Sequence, residues 1–127
     1  MANSVFTLII KGEIPCDKVY EDKDNIAFMT IQPMQPGHVL VVPKKEIDHL
    51  WDLPEAEYIS LMMAVKKVAN RMRDVLGAKR IGVKVIGDEV HHAHVHLIPF
   101  NNAAEFNAAP KDASPEELKA MAAKLAF

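Results

Sequence analysis

Short apolar runs separated by polar residues dominate the first part of the chain, a pattern that is typical of strands joined by turns. Residues 19–21 and 25–29 flank a polar connector at 22–24 and predict a β-hairpin. Residues 39–42 form a continuous β-branched and apolar run that ends at Pro43. Such a run predicts a strand in the middle of a sheet, covered on both faces.

A long helical pattern follows. Asp52 is placed to cap this helix, Pro54 fits its first turn, and Gly77 marks its end. Apolar residues recur at helical spacing, so we expect one face to pack on the sheet or on a partner subunit. The face consists of Ile59, Met62, Met63, Val68, Met72, Val75 and Leu76.

The last part of the chain predicts two more strands and a helix. Residues 81–86 and 90–99 are expected to pair antiparallel across a tight connection at 87–89. Residues 101–112 predict a surface loop, and the capping box at 114–117 predicts a short helix that ends near the last residue.

These elements predict an α+β fold with a mainly antiparallel five-stranded sheet and one long helix. Residues 5–10 fit either a strand or one face of a short helix. The length of 127 residues predicts a single domain over 1–127, with its core at about 4–100 and a C-terminal loop and helix at 101–127.

Composition excludes several classes of protein. Half of the residues are hydrophobic and the formal net charge is −2, which argues against a dedicated binder of nucleic acid polymers. Seven basic residues between Lys66 and Lys84 fit a solvated helix face better than a docking patch. No long apolar span or secretory leader is evident, so we expect a cytoplasmic protein without membrane contact. Cys16 is the only cysteine and is expected to be structural.

Three histidines alternate near the end of the predicted sheet. His92, His94 and His96 are two residues apart, so in a strand their side chains share one face, while the small and apolar residues between them face a core. One hypothesis is a metal site completed by residues such as His38, Asp88 or Glu89. Against it, the step of about 6.5 Å along a strand hinders joint ligation, and no cysteine pair is present.

Two further interpretations remain for the histidine row. One imidazole could attack phosphorus while its neighbours orient it and assist the leaving group. Alternatively, the row could be purely structural, although three histidines on one face, with His38 after a Pro-Gly turn, make that less favourable.

The sequence at these residues resembles the histidine triad (HIT) superfamily of nucleotide-binding proteins. Residues 92–98 match its His-φ-His-φ-His-φ-φ signature, in which φ is an apolar residue. Residues 5–31 and the Gln-Pro-Gly-His block with its following strand at 35–45 are similar to the family as well. The resemblance implies a homodimer, a helix rather than a strand at residues 5–10, and a nucleotide held against the histidine strand.

The resemblance also implies roles for individual residues. His94 would be the nucleophile that carries a covalent nucleotidyl group, and His96 would contact the phosphate and help the leaving group depart. His92 and His38 would orient and polarise the site. No cofactor is expected. An apolar pocket for a purine would consist of Val5, Phe6, Ile9, Ile14, Phe28 and Ile31.

The chain departs from the family at several positions. Thr30 stands where many members have an aspartate that holds the ribose hydroxyls. Asp88 and Glu89 precede the triad, where carboxylates would repel a phosphate or, in the case of Glu89, raise the pKa of a neighbouring histidine. Some members bind zinc through a Cys-x-x-Cys pair and a histidine. Here those positions are Ser4, Thr7 and Glu46, so that structural metal is not expected.

From these features we expect a hydrolase or transferase that acts on the α-phosphate of purine nucleoside 5′-phosphate derivatives, such as phosphoramidates or dinucleotides. The alternative is a regulatory or protein-interaction module that binds a nucleotide with negligible turnover.

Overall fold

The computed structural model describes residues 3–127, which form four α-helices, five strands and one 3₁₀ turn. The helices are α1 (Val5–Ile10), α2 (Glu55–Leu76), α3 (Ala103–Phe106) and α4 (Pro115–Leu125), and the 3₁₀ turn is Leu50–Asp52. The strands are β1 (Lys18–Glu21), β2 (Asn25–Met29), β3 (Val39–Pro43), β4 (Arg80–Lys84) and β5 (Val95–Phe100).

The strands form one sheet in the order β1-β2-β3-β5-β4, and every neighbouring pair is antiparallel. The predicted α+β class with a five-stranded antiparallel sheet is therefore confirmed. β3 lies at the centre of the sheet with all five residues buried, as its unbroken apolar run predicts. Residues 5–10 form a helix whose N-cap is Ser4.

The two faces of the sheet are covered differently. One face packs against α2 and α4 through the larger core, which includes Val39, Val41, Leu61 and Val68. The other face carries a smaller apolar cluster of Phe6, Ile26, Phe28, Leu40 and Val42. Alternation along β2 and β3 divides the side chains between these two layers.

Three expectations for α2 need correction. Asp52 lies in the 3₁₀ turn and does not cap the helix, because the chain needs Leu53 and Pro54 in extended conformation before α2 begins. Pro54 is therefore the N-cap residue and not part of the first turn. Ile59 and Met63 are exposed, because the sheet covers a narrower stripe centred on Leu61, Ala64, Val65, Val68 and Met72. The predicted end at Gly77 is confirmed, and its φ of 66° is the left-handed conformation that glycine adopts readily.

The predicted histidine strand is too long at its start. The ladder between β4 and β5 ends at the pair Lys84 and His96, so residues 85–94 form a longer connection than the expected tight turn. The reason lies in the backbone, because the N–H of Ala93 donates to the carbonyl of Ile47 instead of to a strand neighbour (2.7 Å).

At the other end of the chain, the expected loop at 101–112 contains the short helix α3. The capping box is confirmed as a helix start, since the Ser114 hydroxyl accepts a hydrogen bond from the N–H of Glu117. None of the helices within residues 3–127 combines the length and apolar character needed to cross a membrane.

Candidate active site

Four histidines meet on the sheet face opposite α2. His38 directly precedes β3, His96 lies in β5, and His92 and His94 lie in the segment that leads into β5. The exposed fractions of His38, His92 and His94 are 1%, 0% and 6%, and His96 is half-buried. The structure thus brings together all four histidines that the sequence singles out.

His38 and His96 form one hydrogen-bonded pair. The backbone N–H of Met34 donates to Nδ1 of His38 (3.0 Å), so this nitrogen carries no proton. The proton of His38 is therefore on Nε2, which lies 3.0 Å from Nδ1 of His96 and donates to it. Nδ1 of His96 is then an acceptor, and the remaining proton of His96 is on Nε2.

The turn before His38 requires glycine. Gly37 has a φ of +94°, and a Cβ at this position would lie 2.7 Å from Cδ1 of Leu76. The N–H of His38 closes the turn by donating to the carbonyl of Gln35 (3.1 Å). Gly37 therefore allows the chain to enter β3 close to α2 with the His38 ring on the opposite face of the sheet.

His92 and His94 form a second unit, which is linked through the backbone. Nε2 of His92 lies 2.8 Å from the carbonyl oxygen of Pro43 and must donate to it. Nδ1 of His94 lies 2.7 Å from the carbonyl oxygen of His92 and likewise carries its proton there. The lone pair of His94 is consequently on Nε2.

The two units leave complementary atoms on neighbouring rings. The centroids of the His94 and His96 rings are 4.9 Å apart. His94 offers an unprotonated Nε2, which can attack an electrophile, and His96 offers an Nε2–H, which can donate to an anionic oxygen. A nucleophile and a hydrogen-bond donor thus lie side by side.

The electrostatic environment keeps the four imidazoles neutral. Burial, followed by the charges of neighbouring groups, lowers the pKa of His38 to about 3 and that of His96 to about 4. Burial is also the main cause of the lowered pKa values of His92 and His94. Neutral rings at pH 7 preserve the lone pair of His94 that a nucleophile needs.

Lys84 is a residue of this face that sequence reasoning assigned to a solvated surface. It is the ladder partner of His96, so the two side chains share a face of the sheet. Its Nζ donates to the carbonyl oxygen of Phe106 (2.8 Å) and lies 4.4 Å from the centroid of the Phe106 ring. The positive charge contributes to the lowered pKa values of His38 and His96, after burial and the neighbouring ring. Only the strand register could have identified it.

The first helix forms the apolar side of the site. Phe6 is buried and meets His94 edge-on, with ring centroids 4.9 Å apart, and it packs against Phe28 in the same way at 5.5 Å. Ile9 packs against this cluster. Of the other residues expected around a base, Ile14 is half-buried, and Val5 and Ile31 are exposed.

The remaining candidate residues lie in loops. Thr30 is half-buried, and its N–H donates to the carbonyl of His38 (3.4 Å), which places Thr30 beside the Pro-Gly-His turn. Asp88 and Glu89 are exposed in the connection between β4 and β5.

A polar cluster lies behind His92. The Ser4 hydroxyl is 2.7 Å from Nδ1 of His92, and Oε1 of Glu46 accepts from the N–H of Ser4 (2.8 Å) and from the Thr7 hydroxyl. Nδ1 of His92 is 4.0 Å from the same carboxylate oxygen. Within residues 3–127 no group of three or more His, Cys, Asp or Glu side chains is arranged to hold a metal ion.

The chain is similar to known proteins in sequence and in structure. The HIT domain family model matches residues 11–103. The chain is 38% identical over 99 residues to adenosine 5′-monophosphoramidase of Saccharomyces cerevisiae, with 77% of this chain and 63% of the yeast protein covered.

Solved structures are similar over nearly the whole chain. A HIT-like protein of Bartonella henselae, described as involved in cell-cycle regulation and solved with an unknown ligand, is 34% identical with a TM-score of 0.88, covering 97% of this chain and 93% of that one. A Zn-bound histidine triad family protein of Mycobacterium smegmatis is 30% identical with a TM-score of 0.76, covering 95% and 94%.

Proposed function

The chain belongs to the HIT family, and on this premise we propose that it hydrolyses purine nucleoside 5′-phosphate derivatives at the α-phosphorus. Phosphoramidates are the preferred substrate class, with dinucleotides as a second possibility. The observation that carries the proposal is the pair of free atoms on neighbouring rings, the Nε2 lone pair of His94 and the Nε2–H of His96. The similarity to a yeast adenosine 5′-monophosphoramidase supports the choice of substrate.

The first step is nucleophilic displacement at phosphorus. Nε2 of His94 forms a bond to the α-phosphorus as the bond to the leaving nitrogen or oxygen breaks. His94 keeps its Nδ1 proton, so the nucleotidyl ring is cationic, and the carbonyl of His92 stabilises this charge through the 2.7 Å hydrogen bond. A cationic imidazole is a good leaving group for the second step, in which water attacks phosphorus and the bond between phosphorus and Nε2 breaks. The attacking water loses its proton to solvent, and neutral His94 is restored.

His96 serves as a hydrogen-bond donor to a phosphate oxygen. Its Nδ1 already accepts from His38, so loss of the Nε2 proton would leave an imidazolate. We therefore assign the protonation of the leaving group to water and the stabilisation of phosphate charge to His96. His38 fixes the tautomer of His96, and Met34 fixes that of His38.

The base and ribose are assigned to the apolar side of this face. Phe6 lies against His94, and Ile9 and Phe28 belong to the same apolar cluster. Exposed Val5 and Ile31, together with Ile14, would extend this surface around a purine. Thr30 offers a hydroxyl to the ribose, and Glu89 lies on the connection that leads into the triad.

A homodimer is also proposed. β4 is the last strand in the sheet order, and Val83 and Val85 on or next to it are exposed together with Ile59 and Met63 of α2. An apolar helix surface beside an edge strand suits a second copy of the chain. Light scattering should give the dimer mass for wild type, and Met63→Glu should shift it towards the monomer. A monomeric wild type at micromolar concentration would refute the dimer.

The experiment for the activity is hydrolysis of adenosine 5′-phosphoramidate by wild type and His94→Ala. We expect kcat to fall on the order of 10⁴-fold, because the covalent route is lost. Lys119→Ala serves as a control and should retain activity, because Lys119 is exposed on α4, which packs on the opposite face of the sheet. Wild-type rates in His94→Ala would refute the mechanism. Tight binding of adenosine monophosphate by a wild type without turnover would favour the regulatory module.

A further inference from the structure

We propose that Ser4, Thr7 and Glu46 are positioning residues that hold His92 through hydrogen bonds alone, at the place where some family members use a metal. The inference rests on the proposed role of His94, because these residues are argued to act on His94 through His92.

The N-terminus of α1 contacts the first histidine of the triad. Ser4 accepts a hydrogen bond from the N–H of Thr7 (3.0 Å) as the N-cap of α1. Since Nε2 of His92 donates to the carbonyl of Pro43, Nδ1 of His92 must be the acceptor in its 2.7 Å contact with the Ser4 hydroxyl. One hydroxyl thus serves both the start of the helix and the first histidine of the triad.

Glu46 anchors this arrangement from the other side. Its Oε1 accepts from the N–H of Ser4 (2.8 Å) and from the hydroxyl of Thr7. These hydrogen bonds, that of Thr7 first, hold the pKa of Glu46 below its usual range, so the acceptor is ionised at neutral pH. The carboxylate therefore fixes both hydroxyl-bearing residues of the cap.

The hydrogen-bond network continues from His92 to His94. The carbonyl of His92 accepts the Nδ1 proton of His94, which defines the tautomer of the proposed nucleophile. α1 also places Phe6 against His92 and His94, with ring centroids at 5.8 and 4.9 Å. A shift of the cap would therefore move both the acceptor and the apolar wall of His94.

The cluster of Ser4, Thr7, Glu46 and His92 offers few ligands for a zinc ion. Only His92 and Glu46 are good ligands among the four residues, because serine and threonine hydroxyls bind zinc poorly. The lone pair at Nδ1 of His92 is already engaged by Ser4, and Oε1 of Glu46 already accepts two hydrogen bonds. The cluster satisfies itself and does not fit a zinc ion.

The experiment compares Ser4→Ala, Glu46→Ala and Glu46→Gln in the full chain, with adenosine 5′-phosphoramidate as the substrate. We expect the two alanine variants to lower kcat about tenfold, the rate equivalent of one hydrogen bond, with a smaller change in KM. Glu46→Gln retains an oxygen acceptor and should restore most of the rate. Ser114→Ala is the matched control, because it removes the same type of cap from α4 without touching a histidine.

Two readouts do not require turnover. In ¹⁵N spectra of the histidine side chains, the resonances of His92 and His94 should move in Ser4→Ala and Glu46→Ala but not in Ser114→Ala. Purified protein should contain no stoichiometric zinc, and treatment of wild type with EDTA should leave these spectra unchanged.

The proposal is overturned by unchanged spectra and kcat in both alanine variants, or by stoichiometric zinc whose removal lowers activity. If wild type proves inactive on every nucleotide derivative, the proposed function fails, and the spectra and the metal content still decide whether the cluster positions His92.

Discussion

The four histidines divide into two units that are built differently and end in opposite chemistry. In His38 and His96 a chain of side-chain hydrogen bonds begins at a backbone N–H and ends in a free N–H. In His92 and His94 the partners are backbone carbonyls, and the unit ends in a free lone pair. The group that contacts Nδ1 of the last ring, a donor for His96 and an acceptor for His94, therefore decides what each unit offers to a ligand.

The comparison also explains why alternation alone assigns no roles. Residues that share a strand face are equivalent by geometry, but their tautomers depend on the group that contacts Nδ1 of each ring, which is Nε2–H of His38 for His96 and the backbone carbonyl of His92 for His94. His96 offers a donor and His94 a nucleophile because these two partners differ.

His38 and His96 form the donor unit. Replacing His96 should lower kcat more than any other change to this unit. We expect His96→Ala to lower kcat by roughly 10²- to 10³-fold, as is common when a charge-stabilising donor is removed. Because His96 donates to the phosphate and does not protonate the leaving group, the loss should be similar for substrates with good and poor leaving groups. Kinetics with a series of phosphoramidates measures this, and a loss confined to poor leaving groups would show that His96 is a general acid.

Acid should destabilise the folded protein through both histidine units. The pKa values of all four histidines are lower in the folded state, so the unfolded chain binds more protons below pH 6.5. The contribution of these histidines to the free energy of unfolding is fully present above their unfolded-state pKa near 6.5. It is lost as the pH falls towards 4. For His38 alone the loss is roughly 3 kcal/mol by pH 4. Urea unfolding at pH 7 and pH 4.5 measures it, and His38→Phe should reduce the difference.

Removing the charge of Lys84 should act on the donor unit, His38 and His96, through electrostatics. In Lys84→Met the pKa values of His38 and His96 should rise, because a neighbouring cation no longer opposes their protonation. The acid limb of the kcat/KM profile should move to higher pH. Lys79→Met is a suitable control, since Lys79 is exposed and precedes β4. An unshifted profile would separate Lys84 from the site.

Much of the fold follows from local patterns. The apolar run before Pro43 predicts the central strand, and alternation correctly assigns Ala93 and Val95 to the core beneath α2, although the ladder begins only at Val95. The start of β5 was not predictable, because it depends on the hydrogen bond between Ala93 and Ile47. The exposure of Ile59 and Met63 also depends on how much of α2 the sheet can cover.

The candidate site was predictable to a different degree. The spacing of the triad and the Pro-Gly-His turn identify the histidines. The positions of Lys84 and Glu46 depend on strand register and on contacts over long sequence separations, such as the 42 residues between Ser4 and Glu46. Hydrophobic and polar patterns contain no signal for such pairs, and only the family resemblance groups Ser4, Thr7 and Glu46.

The role of His94 as the nucleophile is tested most directly by mass spectrometry of the enzyme, quenched without acid during turnover of adenosine 5′-phosphoramidate. The account predicts an adenylyl group on the peptide that contains His94, formed within one turnover and absent from His94→Ala. Rapid hydrolysis by wild type without any adduct, or an adduct that persists in His94→Ala, would contradict it.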